Sequence, residues 1–158
     1  GPLLRIYAER YGFSWLQMAA LAFQESGLNH ERVSPRGAVG LMQLLPSTGR
    51  RYARSLGMRF TASTLTQPES NVRLGTTYFK ELVDRFGGAH FALASYNAGE
   101  NRITRWISER PAFQQDEFID DIPFPETQNY VKRILGTAED YRLLYRDHPP
   151  TSRTSAGH

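Results

Sequence analysis

The chain contains no cysteine, which excludes a disulfide scaffold, a thiolate zinc site and a thiol nucleophile. An exported protein need not carry a disulfide, so an oxidising compartment stays open. The longest unbroken apolar run is Met18 to Phe23, far short of the roughly 20 residues that span a bilayer. Lysine is nearly absent. The 19 basic residues include only Lys80 and Lys132, and the net charge is a mild +3. No basic cluster is denser than Arg50-Arg51 with Arg54, so nucleic acid is not an expected partner. His30, His90, His148 and His158 are scattered and form no His-x-x-x-His pair, so no metal site is expected. Asp120-Asp121 lacks a calcium-loop pattern, and both a phosphate-binding glycine loop and a Gly-x-Ser-x-Gly turn are missing.

What is present fits one folded domain. The 158 residues are 40% hydrophobic and 22% charged, which argues against disorder. Gly1-Pro2 reads as a cloning remnant, so missing targeting signals say nothing about location. The domain is expected over 3–146, with 147–158, rich in Pro, Ser, Thr and Gly, as a loose tail.

Apolar spacing predicts an all-α domain. Leu4, Tyr7, Ala8 and Tyr11 mark a first helix that Gly12 ends. Ser14 and Gln17 form a capping-box pattern, with Phe13 and Met18 placed as a hydrophobic staple. The helix that follows, Trp15 to Glu25, is apolar on nearly every face and is expected at the centre of the domain. Pro46, Pro68 and Pro125 suit the first turns of further helices, and Gly87-Gly88 closes the one begun at Pro68. Short helices are expected over Phe91 to Tyr96 and around Ile103, Trp106 and Ile107. Pro111 to Phe124 reads as a loop with an acidic patch, Asp116, Glu117, Asp120 and Asp121. Val39 to Leu44 is the single strand candidate.

Glu25 is the oddity. It stands in the last turn of an otherwise apolar helix, in line with Met18, Leu21 and Ala22. Burial and the negative helix end both disfavour its charge, raising its pKa toward what suits a general acid. Alternatively the side chain curls out to solvent beside Ser26-Gly27. Glu126, in the first turn after Pro125, has the opposite dipole environment, with Tyr130 on the same face. Two carboxyls in contrasting surroundings suit one proton donor and one charged partner, although an ordinary helix-start acid reads the same way. Gln43, alone among apolar neighbours in Gly40-Leu41-Met42-Gln43-Leu44, either reads a polar substrate or satisfies buried backbone. In Ser95-Tyr96-Asn97-Ala98-Gly99, Tyr96 is a groove or core phenol and Asn97 a functional amide or a left-handed cap.

In order, Glu25-Ser26, Ser34-Pro35-Arg36-Gly37-Ala38, Gly40-Leu41-Met42-Gln43-Leu44, Ser95-Tyr96-Asn97-Ala98-Gly99 and Glu126-Thr127-Gln128-Asn129-Tyr130 resemble the soluble lytic transglycosylases. These are Slt-type, goose-lysozyme-like enzymes of the bacterial envelope, and the resemblance runs from about Leu4 to Tyr145. It implies a lysozyme-like helical fold whose groove takes peptidoglycan glycan strands, with no cofactor and in the periplasm. It also implies that Glu25 is the lone acid/base and that Ser34 orients its carboxyl. Gln43 and Tyr96 would line the groove, and Asn97 would support the turn that positions Tyr96. Glu126 would be a second, buried acid that steadies the site, with Tyr130 reinforcing it. The chain departs from the family pattern at Leu45, where Met is common, and at Ser95 and Glu100, which flank the tyrosine motif. A hydrolytic goose-type lysozyme and a non-catalytic peptidoglycan-binding module are the alternatives. A monomer is the expected state.

Overall fold

The computed structural model describes residues 2–109, 119 and 121–147. Among these the chain forms seven α-helices: α1 (Pro2–Arg10), α2 (Trp15–Ser26), α3 (Pro46–Ser55), α4 (Pro68–Phe86), α5 (Ala89–Ala98), α6 (Glu100–Glu109) and α7 (Pro125–Asp147). A 3₁₀ turn over Thr64–Thr66 precedes α4. The strand candidate resolves into two isolated bridges, Val33 with Val39 and Val39 with Leu44. Each bridge is a single pair, so the segment forms no ladder. Most of the acidic patch and the tail beyond residue 147 lie outside the described residues. Among the described residues no helix is long and apolar enough to cross a membrane.

Local chemistry sets the helix ends. Ser14 Oγ accepts the Gln17 amide at 3.4 Å and starts α2, satisfying one of the donors that a helix start leaves unpaired. Pro opens α3 and α4, where the missing N–H is harmless. Gly27 takes φ +63 and returns its N–H to the Phe23 carbonyl at 2.8 Å, closing α2 one residue beyond the expected end.

Two apolar clusters hold the fold. The larger gathers Leu4 and Tyr7 of α1, Met18 to Ala22 of α2, Phe79 and Leu82 of α4, Ala92 to Ala94 of α5 and Ile134 of α7. Each large side chain buried here contributes about 1.5–3 kcal/mol. The smaller, of Leu44, Tyr52, Ala53, Leu65 and Leu74, lies under α3, and Tyr78 and Tyr96 pack against both. Helix α2 packs mainly on α7 and α1, with Ala19, Ala20 and Ala22 allowing close approach. It is less enclosed than its composition implies: Phe23 is 52% exposed, because its flank faces away from both partner helices. Phe13 packs edge-on against Phe79, with ring centroids 5.2 Å apart, so the residue before the α2 cap anchors that helix to α4.

Candidate active site

Ser26 ends α2 with a hydroxyl that donates to the Ala22 carbonyl at 2.9 Å and accepts the Leu28 amide at 3.1 Å. Gly27 and Leu28 both have positive φ, so the chain reverses sharply and the last turn of α2 borders an open cleft. That cleft is about 730 Å³, within the usual range for ligand sites. Its walls include Glu25, the Ser34–Arg36 turn, Asn97, Ala98 and Arg102 around the α5–α6 junction, and Pro123 to Thr127 at the start of α7.

Glu25 does not curl out to solvent. Tyr130, 3% exposed, reaches from α7 and donates its hydroxyl to Glu25 Oε1 at 2.7 Å. Burial pushes the Glu25 pKa above its usual 4.5, opposed by the Tyr130 hydrogen bond and the nearby Arg32 guanidinium. The negative end of α2 acts in the same direction as burial. Burial also drives the Tyr130 phenol well above its usual value, and the facing Glu25 charge adds to this. Tyr130 therefore stays a donor, and with Oε1 occupied a proton on Glu25 is directed to Oε2. A carboxyl that retains a proton above the ordinary range, in an open cleft, is suited to protonating a leaving-group oxygen.

Tyr96, on α5, donates its hydroxyl to the Met42 carbonyl at 2.5 Å. Its pKa is well raised by burial and by the Glu25 charge, which places phenol and carboxyl in one electrostatic neighbourhood. Gln43 has φ +52, and its Nε2 donates to the Arg32 and Gly40 carbonyls at 2.9 Å each. Its amide nitrogen thus satisfies loop backbone, and Oε1 is what it can offer a ligand. Asn97 is not a left-handed cap: it lies within α5, and the cap is Gly99, whose φ +95 and ψ 147 form an extended backbone that only glycine adopts readily. Asn97 Oδ1 instead accepts the Thr127 hydroxyl at 2.8 Å, tying the end of α5 to the start of α7.

One expectation needs correcting. Glu126 lines the cleft but is exposed, not buried, because the first turn of α7 forms the cleft mouth and water reaches the carboxylate. Tyr130, one turn further along α7, is bonded to Glu25. Ser34 shares the cleft wall, but its Oγ accepts the Ala38 amide at 3.1 Å, and among the described residues no hydrogen bond joins it to Glu25. Sequence reasoning passed over Thr127 and Arg102. Thr127, only 2% exposed, lies inside a motif that was read for its acid and its tyrosine. Arg102 stands on the polar face of α6, where one arginine looks like any other. Among the described residues no group of three acidic or histidine side chains is placed to hold a metal ion.

Comparison with known proteins places the helical fold. The Transglycosylase SLT domain family model matches residues 2–119, ending ahead of Glu126 and Tyr130. A soluble lytic murein transglycosylase of Escherichia coli K12 is 36% identical over 134 residues, which cover 82% of this chain and 21% of that protein. A membrane-bound lytic murein transglycosylase F of Vibrio cholerae is 32% identical over 84% of this chain and 29% of its own length. Among solved structures, an inactive mutant of the lytic transglycosylase Slt from Pseudomonas aeruginosa superposes with a TM-score of 0.83 at 32% identity, over 95% of this chain and 24% of that one. A 70 kDa soluble lytic transglycosylase in complex with bulgecin A gives a TM-score of 0.82 at 32% identity, over 90% of this chain and 24% of that one. The chain spans about a fifth to under a third of the length of these proteins. With the family model covering most of the sequence and helices superposing over nearly all of it, the chain belongs to the Transglycosylase SLT domain family.

Proposed function

We propose that this domain is a peptidoglycan lytic transglycosylase with Glu25 as its single acid/base. The observation that carries the reading is a carboxyl with a raised pKa, held by Tyr130 on the wall of an open cleft. Glu25 gives its proton to the glycosidic oxygen between N-acetylmuramic acid and N-acetylglucosamine, and the C1–O bond breaks. Charge on C1 is relieved by the substrate's own acetamido group. The Glu25 carboxylate then takes the proton of the muramic acid C6 hydroxyl as O6 closes onto C1. The product is a 1,6-anhydro sugar. Glu25 ends protonated and no water is consumed.

Most glycosidases need two carboxyls because water or the enzyme supplies the nucleophile. Here the nucleophile is already on the substrate, and its effective concentration replaces a second carboxylate. Glu126, at the exposed cleft mouth, steadies the site without attacking sugar. Ser34 and Arg36 form one wall, Asn97 braces the turn after Tyr96, and Gln43 and Tyr96 are assigned to the groove by the resemblance. The names of the relatives, soluble and membrane-bound murein transglycosylases, support peptidoglycan as substrate and the bacterial envelope, specifically the periplasm, as the place of action.

Product analysis on purified peptidoglycan tests this. Wild-type protein is expected to release anhydro-muropeptides, and Glu25→Gln to fold and bind glycan while losing nearly all turnover. Products heavier by one water, carrying reducing ends, would instead make it a hydrolase. Absence of any release by the wild type would leave a binding module.

A further inference from the structure

Asn71, in the first turn of α4, is fully buried, at 0% exposure, and is not on the cleft wall. Its Oδ1 accepts the Met42 amide at 2.8 Å. Its Nδ2 donates to the Val39 carbonyl at 2.9 Å and to the Leu65 carbonyl at 2.8 Å. An amide side chain buried this deeply is stable only when satisfied, and here every partner is backbone from the two loops that flank α3.

The loop it holds is seated without slack. A Cβ on Gly40 would lie 2.2 Å from Asn71 Nδ2 and 2.2 Å from the Leu65 carbonyl oxygen. A Cβ on Gly75, one turn along α4 from Asn71, would lie 2.4 Å from Met42 Sδ. From the other side the Tyr96 hydroxyl binds the Met42 carbonyl. Met42 is thus gripped by its N–H from α4 and by its carbonyl from α5. The next residue, Gln43, carries a left-handed backbone, which crowds the Cβ of a non-glycine residue against its carbonyl. Such strain persists only where its surroundings over-determine it, and Asn71 and Tyr96 supply that constraint on either side of Met42.

We infer that Asn71 is the positioning residue of this loop: by clamping Met42 against Tyr96 it keeps Gln43 and the Tyr96 hydroxyl in one arrangement. The rate effect of the clamp rests on the transglycosylase reading, whereas the clamp itself does not.

The test is a double-mutant cycle with an exchange measurement beside it. On soluble glycan strands, Asn71→Ala lowers kcat by about tenfold or more with KM little changed, since small misplacements at a reacting centre are costly. Leu82→Ala, a core truncation on the same helix, keeps wild-type kcat at a temperature where both variants are folded. Tyr96→Phe releases the Met42 carbonyl, so it costs much less in the Asn71→Ala background than in the wild type. Unchanged kcat in Asn71→Ala, or equal costs for Tyr96→Phe in both backgrounds, overturns the inference. Hydrogen–deuterium exchange reads the clamp without turnover. The Met42 amide is expected to exchange about tenfold faster or more in Asn71→Ala, as loss of one hydrogen bond implies, while the α4 core amides stay protected. An unchanged Met42 rate overturns the clamp even in an active enzyme. A wild type that releases no product fails the transglycosylase reading while the exchange result still stands. If Asn71→Ala does not fold, Asn71→Ser enters the same cycle under the same criteria.

Discussion

Replacing Tyr130 by phenylalanine removes one oxygen and nothing else from a packed site. In the native protein that oxygen donates to Glu25 Oε1 at 2.7 Å. A hydrogen bond to a charged group is worth about 1.5–3 kcal/mol, and to a neutral one about 0.5–1.5. The hydroxyl therefore favours the charged carboxylate by about 1–1.5 kcal/mol, which is about a tenfold change in proton affinity. Burial raises the Glu25 pKa and Tyr130 opposes it, so Tyr130→Phe raises it further. In the pH profile of kcat/KM the alkaline limb reports loss of the Glu25 proton, and it moves upward by about one pH unit. The plateau also falls, because the carboxyl loses the contact that directs its proton to Oε2. Initial rates of anhydro-muropeptide release across a pH series measure both effects, and carboxyl-carbon NMR of Glu25 gives the titration directly. An alkaline limb that stays in place or moves to lower pH would refute the assignment of Tyr130 as the group that favours the charged form of Glu25.

The same carboxyl links stability to pH. Its folded pKa lies above the unfolded value, so the native state is favoured by the protonated form and loses that contribution as pH rises through the folded pKa. Glu25→Gln has no charge to lose. Its thermal midpoint is expected to match the wild type below pH 4.5, the usual carboxyl value, and to exceed it increasingly above, as calorimetry over a pH series can check. Gly75→Ala would bring a methyl to 2.4 Å from Met42 Sδ and 2.9 Å from its Cβ. Overpacking of that kind costs about 1–3 kcal/mol, outweighing the roughly 0.8–1 kcal/mol that alanine gains in helix propensity, so chemical denaturation should register a net loss. Leu21→Ala, at a fully buried position in α2, should cost about 2–5 kcal/mol in the same assay while leaving the pH profile of the remaining activity unchanged.

The sequence disclosed much of this architecture because its signals are local. Pro46, Pro68 and Pro125 start helices, Ser14 caps one, and Gly27 and Gly87 end two, each within a turn of the residue that causes it. Glu25 could be singled out because a carboxyl in an apolar helix is locally anomalous, although its role came from the ordered motifs as a set. What stayed hidden is long-range. Nothing near Tyr130 says that its hydroxyl meets a carboxyl 105 positions away. Nothing near Glu126 says that the first turn of α7 borders an open cleft. Asn71 did leave a trace: it heads the stripe continued by Gly75, Phe79 and Leu82 at helical spacing, a polar side chain on a face bound for the interior. Its partners, Met42, Val39 and Leu65, lie in loops whose course no periodicity describes.

That α7 delivers both Tyr130 and the Thr127 brace has a consequence for synthesis. A chain emerging from the ribosome holds Glu25 long before the last helix exists, yet until α7 docks the carboxyl has neither its phenol partner nor a far wall to its cleft. Protein truncated before Pro125 would therefore carry the acid without the phenol that binds its carboxyl and without the α7 wall of the cleft.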